Sequence, residues 1–138
     1  MQDRPTAIEL LEAAAQFIDR DIVPIAEGSR QFQARVAANV MRIVAREIRV
    51  EEFQLREEIA ALSALLGRSK SETSSVQQMR ETALALSLEL VERIKAGDAD
   101  KDPWRQQVFD VVRMLVEEKL KVANPRYLES DLAARRAR

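Results

Sequence analysis

Four arginines recur along one short stretch of this sequence, Arg35, Arg42, Arg46 and Arg49, with Asn39 among them. Wound at ~100° per residue, the five fall on one narrow stripe of a helix. Guanidiniums arrayed in this way can clamp an anion such as a phosphate or a CoA-like pyrophosphate, because each offers planar, bidentate donors. The same stripe also reads as a solvated face paired with acids such as Glu51, Glu52 and Glu57. On the other side Val36, Ala37, Val40, Ile43, Val44 and Ile48 share a broad apolar arc, interrupted by Gln33 and Glu47. A carboxylate buried in such an arc needs a partner or a raised pKa, and such groups mark functional sites. Gln33 and Glu47 lie ~21 Å apart along a helix, too far for one catalytic dyad. The expectation is that each meets a cross-helix partner, for Glu47 an arginine of the last long helix such as Arg113.

Other candidate chemistry is thinner. Asp98, Asp100 and Asp102 open like a calcium loop, but Pro103 stands where that loop needs Gly and Phe109 where it needs Glu. A capping loop is the better reading, and no metal site is expected. The chain has no Cys and no His, which removes thiolate nucleophiles, sulfur-ligated metals, the commonest zinc ligand and the commonest general base. There is no Gly-rich phosphate loop, no nucleophile elbow and no expected cofactor. An enzyme working through Glu47 is the least supported reading. With 22 basic and 23 acidic residues the net charge is −1, so the overall basic footprint of a nucleic-acid-binding domain is missing. No apolar run approaches the ~20 residues that span a bilayer. The N-terminal residues lack a signal-peptide layout, so the expected location is cytoplasmic, with neither nucleic acid nor membrane as partner.

The elements that must position these residues are helices. At 138 residues, 46% hydrophobic and 4% aromatic, the chain can bury one core without disulfides. Thr6 and Glu9 form a capping box ahead of Ile8, Leu11, Ala15, Ile18 and Ile22, which share one face of a helix over 7–23. Pro24 and Gly28 break it. Neither Gly nor Pro occurs from 29 to 66, a span that reads as one long helix or, more ordinarily, as two with a break near Val50-Glu51. Gly67 is a natural C-terminal cap. Arg68 to Ser75 has linker composition and is expected to be the most mobile internal stretch. A helix over 75–95 carries Val76, Met79, Ala83, Leu86, Leu90 and Ile94 and stops at Gly97. Asp102 as N-cap and Pro103 at the first position start the last long helix. That helix carries Trp104, Val108, Val111, Leu115 and Val122, and Asn124-Pro125 ends it. The fold class is therefore all-α: a single-domain bundle of four or five helices over 1–127, with an Arg-rich tail over 128–138 that is a short helix or disordered.

Three strings carry a resemblance. Asp3-Arg4-Pro5-Thr6-Ala7-x-Glu9-Leu10-Leu11-Glu12-Ala13 opens the chain. Phe32-Gln33-Ala34-Arg35-Val36-Ala37-Ala38-Asn39-Val40 leads to Ala45-Arg46-Glu47. Lys119-Leu120-x-Val122-x-Asn124-Pro125-Arg126-Tyr127 closes the helical part. In this order they resemble an uncharacterised bacterial family of small helical proteins. That family is typically encoded beside, or fused to, aminoglycoside-phosphotransferase-like kinases and acyl-CoA dehydrogenases. Gln33 stands where the family usually has His, and Arg49-Val50-Glu51-Glu52 replaces its Gly-Pro-like break.

The resemblance implies a role beside a kinase of small molecules or in acyl-CoA metabolism. The leading expectation is a non-catalytic interaction module for a phosphotransferase-like or acyl-CoA dehydrogenase partner. Its docking surface would combine Arg35, Asn39, Arg42, Arg46 and Glu47 with the turn Asn124, Arg126 and Tyr127. The alternative is a small-molecule binder for an acyl-CoA or phosphorylated ligand, held by Arg35, Arg42 or Arg46. A homodimer is a further expectation, since long apolar helices often bury a leftover stripe against a second copy.

Overall fold

A computed structural model describes residues 4–69 and 75–136, with side chains to residue 130. The described residues form five α-helices and no strand: α1 (Ala7–Phe17), α2 (Gly28–Leu66), α3 (Val76–Lys95), α4 (Trp104–Ala123) and α5 (Pro125–Arg136). The all-α expectation holds. Most of the Arg68–Ser75 linker and the side chains of Arg135 and Arg136 lie outside the described residues. By their packing the helices group into two units, Met1–Val50 and Glu51–Arg138.

In the first unit the capping box forms as its residue types require. The Thr6 hydroxyl accepts from the Glu9 amide at 3.2 Å, and the Glu9 carboxylate accepts from the Thr6 amide at 2.7 Å. Helix α1 does not stop at Phe17 but widens into a π turn, Ile18–Ile22. The chain thus stays helical nearly to Val23, and the change of winding within that span has no signature in the apolar spacing. Gln31 Nε2 donates to the Val23 carbonyl at 3.0 Å, satisfying a group that the helix end would otherwise leave open. Ala15, Ala38 and Ala45 are fully buried, so small side chains make up the buried surface of this unit.

The expected break at Val50-Glu51 is absent: α2 is one helix of 39 residues. Neither residue removes an amide or demands a positive φ, so the hydrogen-bond ladder runs through. Its end matches expectation. Gly67 adopts φ 66°, and the Arg68 amide donates to the Ser63 carbonyl at 2.8 Å, which is a Schellman closure.

In the second unit Leu62, Leu66, Leu90 and Val108 form one buried cluster, with Leu65, Leu86, Trp104, Val111 and Leu115 packed on it. Ile59, Met79 and Ala83 form another, and Leu86 touches both. Trp104 is the helix-start anchor its position implies: its Nε1–H donates to the Leu65 carbonyl at 3.3 Å while the Arg93 guanidinium lies 4.2 Å from its ring centre. Ser75 caps α3 through the Gln78 amide. Gly97 takes φ 88° after α3. The start of α4 differs from expectation. Pro103 occupies the cap position and Asp102 does not cap; its carboxylate accepts instead from Arg105 at 2.9 Å. Asn124 ends α4 and caps α5, accepting from the Tyr127 amide at 3.2 Å, and Pro125 supplies the first turn of that short helix. Among the described residues no helix is long and apolar enough to cross a membrane.

Candidate functional site

Three residues of the arginine stripe, Arg42, Arg46 and Arg49, line the junction of α1 and α2. Arg49 Nη2 donates to Glu12 at 2.9 Å, and Arg42 donates to Asp19 in the π turn. The paired positions climb one helix as they descend the other, so α1 runs antiparallel to this part of α2. An open concavity of about 480 Å³ lies along the junction, lined by Glu12, Gln16, Arg42, Ala45, Arg46 and Arg49. Three guanidiniums therefore converge around one hollow. Arg35 and Asn39, on the same stripe but further toward the N-terminus of α2, are exposed and outside it.

The acids that answer the stripe differ from those expected. Glu51 accepts from Arg80, and Glu52 from Arg56 at 2.8 Å. Glu12 of α1 and Asp19 of the π turn that continues it take the role, and the sequence carries the signal: they stand seven residues apart, as Arg42 and Arg49 do on α2. Two antiparallel helices with equal spacing and opposite charge bring both pairs into register at once.

The apolar arc is also corrected. The face of α2 that packs carries Ala38 and Ala45, whereas Val36, Val40 and Ile48 are exposed. Alanines carry little hydrophobic weight on a wheel, so the bulkier valine face dominates the pattern even though close helix approach selects the smaller side chains. Gln33 and Glu47 lie on the exposed side. Glu47 is thus an exposed carboxylate and not a buried one in search of Arg113. Arg113 instead lines a hollow of about 340 Å³ on α4 with Arg105, Gln106, Phe109 and Asp110.

The other candidate residues belong to the second unit. The Asn124 side chain is occupied in capping α5, while Arg126 and Tyr127 are exposed. In the aspartate loop, Asp98 accepts from Arg93 at 2.8 Å and Asp102 from Arg105. Arg68 grips Glu89 through Nε and Nη2, and that bidentate contact holds the exposed guanidinium above its usual pKa.

Chemically, the lining of the α1–α2 hollow suits recognition of an anion. Guanidiniums stay protonated and make poor general acids, and neither Glu12 nor Gln16 sits beside a hydroxyl nucleophile in the lining. What the hollow offers is planar donors for an oxyanion, with Glu12 and Asp19 competing for them. No curated protein and no solved structure matches the chain. The family model described as "Domain of unknown function (DUF6285)" matches residues 24–127, which takes in α2, α3 and α4 and leaves out α1 with its two acids. The chain belongs to that family.

Proposed function

We infer that the protein is a non-catalytic helical interaction module, accessory in the cytoplasm to a phosphotransferase-like partner in small-molecule or acyl-CoA metabolism. The observation that carries this reading is exposed apolar surface on two helices that also build the core. On α3, Leu84, Leu88 and Val91 are exposed opposite Met79, Ala83 and Leu90; on α4, Phe109, Val112 and Val116 are exposed along the flank of the helix beside Val108. Contiguous apolar surface rimmed by charge favours a protein partner. Arg105 and Arg113 beside Phe109 suit a partner with an acidic rim. The choice of a kinase or an acyl-CoA dehydrogenase rests on the family resemblance. The test is size-exclusion chromatography with light scattering of the chain mixed with an aminoglycoside-phosphotransferase-like kinase from the same genome. A shared peak at micromolar concentration, lost with Leu88→Asp and Phe109→Asp, is expected; separate peaks for the unmodified chain overturn the reading.

One observation favours a second reading, a binder of an acyl-CoA or phosphorylated ligand: Arg42, Arg46 and Arg49 around one hollow. A ligand at 100 times its dissociation constant adds roughly 2.7 kcal/mol to stability. A thermal-shift screen of CoA esters and nucleotides that stays flat removes this reading.

A further inference from the structure

The first half of α2 is amphipathic in an unusual sense: α1 takes its alanine face and leaves its bulky face bare. Phe32, Val36, Val40 and Ile48 are 68%, 44%, 50% and 47% exposed, while Ala38 and Ala45 are 0% and 1%. Ile43 and Val44 complete the bare face and are half-buried. In ~100° steps these six side chains spread over about 160° centred on Val40. The two polar residues of that face, Gln33 and Glu47, each stand within about 20° of its midline.

Gln33 and Glu47 are also equidistant from Val40, seven residues before it and seven after. Helical periodicity alone makes any such face symmetric in position. What it does not dictate is that the two polar positions carry a donor at one end and an acceptor at the other. We propose that residues 32–48 of α2 form a two-fold, antiparallel interface with a second copy of this chain, with Val40 on the axis and Gln33 of each copy donating its amide to the Glu47 carboxylate of the other.

The alternatives are disfavoured by charge and chemistry. A parallel pair sets Glu47 against Glu47 and Gln33 against Gln33, two like charges on the midline with no donor between them. An antiparallel pair displaced by a turn breaks the match between the two polar groups: one direction sets Glu47 level with Val36 and Ala37, which leaves its carboxylate without a hydrogen bond, and the other sets Gln33 level with Ile43 and Val44. Only the register centred on Val40 brings both polar pairs level while Val36 meets the Val44 level and Phe32 the Ile48 level. This register gives Gln33 and Glu47 the partners that no described residue gives them. The strip is about 25 Å long and roughly 10 Å wide, on the order of 500 Å² over the two copies, below the size of stable interfaces, so the dimer is a weak one that forms and dissociates with concentration. It uses neither the α3 and α4 stripes nor the arginine hollow, and it stands or falls independently of the function proposed above.

A chain with no cysteine makes the test direct. Sedimentation equilibrium from about 1 to 200 µM should show mass rising from monomer to dimer, with Val40→Asp weakening the dimer by about tenfold or more and unchanged Trp104 fluorescence and helical circular dichroism. Under mild oxidation Val40→Cys should cross-link to itself, because residue 40 meets its own copy within disulfide reach. Gln33→Cys and Glu47→Cys should each fail to cross-link alone and should form a mixed disulfide with one another. A monomeric mass throughout the range overturns the proposal, as does a dimer indifferent to Val40→Asp. Self-cross-linking of Gln33→Cys or Glu47→Cys overturns it as well.

Discussion

Replacing Leu62 by alanine tests the core of the second unit most sharply. Leu62 is fully buried and belongs to the cluster with Leu66, Leu90 and Val108. Losing three side-chain carbons removes ~2.4 kcal/mol of transfer free energy at ~0.8 kcal/mol per methylene. The unfilled space adds a cavity term, because three helices fixed by caps at Gly67, Ser75 and Gly97 can only partly close on it. The sum is about 3–4 kcal/mol, inside the range for buried Leu→Ala. The chain supplies its own probe, since Trp104 is the single tryptophan and packs on this cluster. Urea unfolding followed by its fluorescence should lose about 2 M in midpoint, given a slope of about 1.5–2 kcal/mol per molar. The matched control is Leu84→Ala, the same deletion at a side chain 61% exposed, expected within ~0.5 kcal/mol of the parent. Equal losses for the two variants, or less than ~1 kcal/mol for Leu62→Ala, would refute the assignment of Leu62 to the core and of Leu84 to the surface.

The first unit offers two further tests. Ala45→Leu overfills the α1–α2 junction and should cost about 1–3 kcal/mol by circular dichroism, whereas Val40→Leu on the bare face should change stability by less than ~0.5 kcal/mol; the reverse order would mean that α1 packs on the valine arc. A double-mutant cycle on Arg49 and Glu12, whose side chains are 53% and 50% exposed, should give a coupling under ~1 kcal/mol that fades in about 1 M salt, and a coupling above ~2 kcal/mol that resists salt would show the pair to be the main tie between the helices.

Much of the fold is legible residue by residue because it depends on local chemistry. Thr6 with Glu9, Ser75, Gly67, Gly97 and Asn124-Pro125 each satisfy or withhold specific backbone groups within one turn of themselves. The helix boundaries that they set therefore appear in the sequence to within a residue or two. Where a boundary depends on what a segment packs against, it is not legible. The π turn at Ile18–Ile22 leaves the apolar spacing unchanged. The continuity of α2 through Val50-Glu51 is a matter of length, and the residues themselves permit either outcome.

The candidate site is legible in its ingredients but not in its orientation. The spacing of Arg42, Arg46 and Arg49 places them on one stripe, and they share one hollow. Which side of α2 is covered depends on the approach of α1. Close approach rewards Ala38 and Ala45 for being small, a preference that a hydrophobicity wheel weighs the wrong way. Glu47 accordingly changes from a buried acid to an exposed one, and Glu12 and Asp19 replace the nearer acids as arginine partners.

The sequence by itself determined that the chain is helical, where most helices start and stop, and that thiol and imidazole chemistry are excluded. Those properties follow from residue types and from contacts made within a few positions. Only the tertiary structure decided which face of α2 is spent on α1 and which apolar stripes of α2, α3 and α4 are left bare. A helix with apolar residues on more than one side has several ways to pack, and the choice among them is made by the shape of its neighbour.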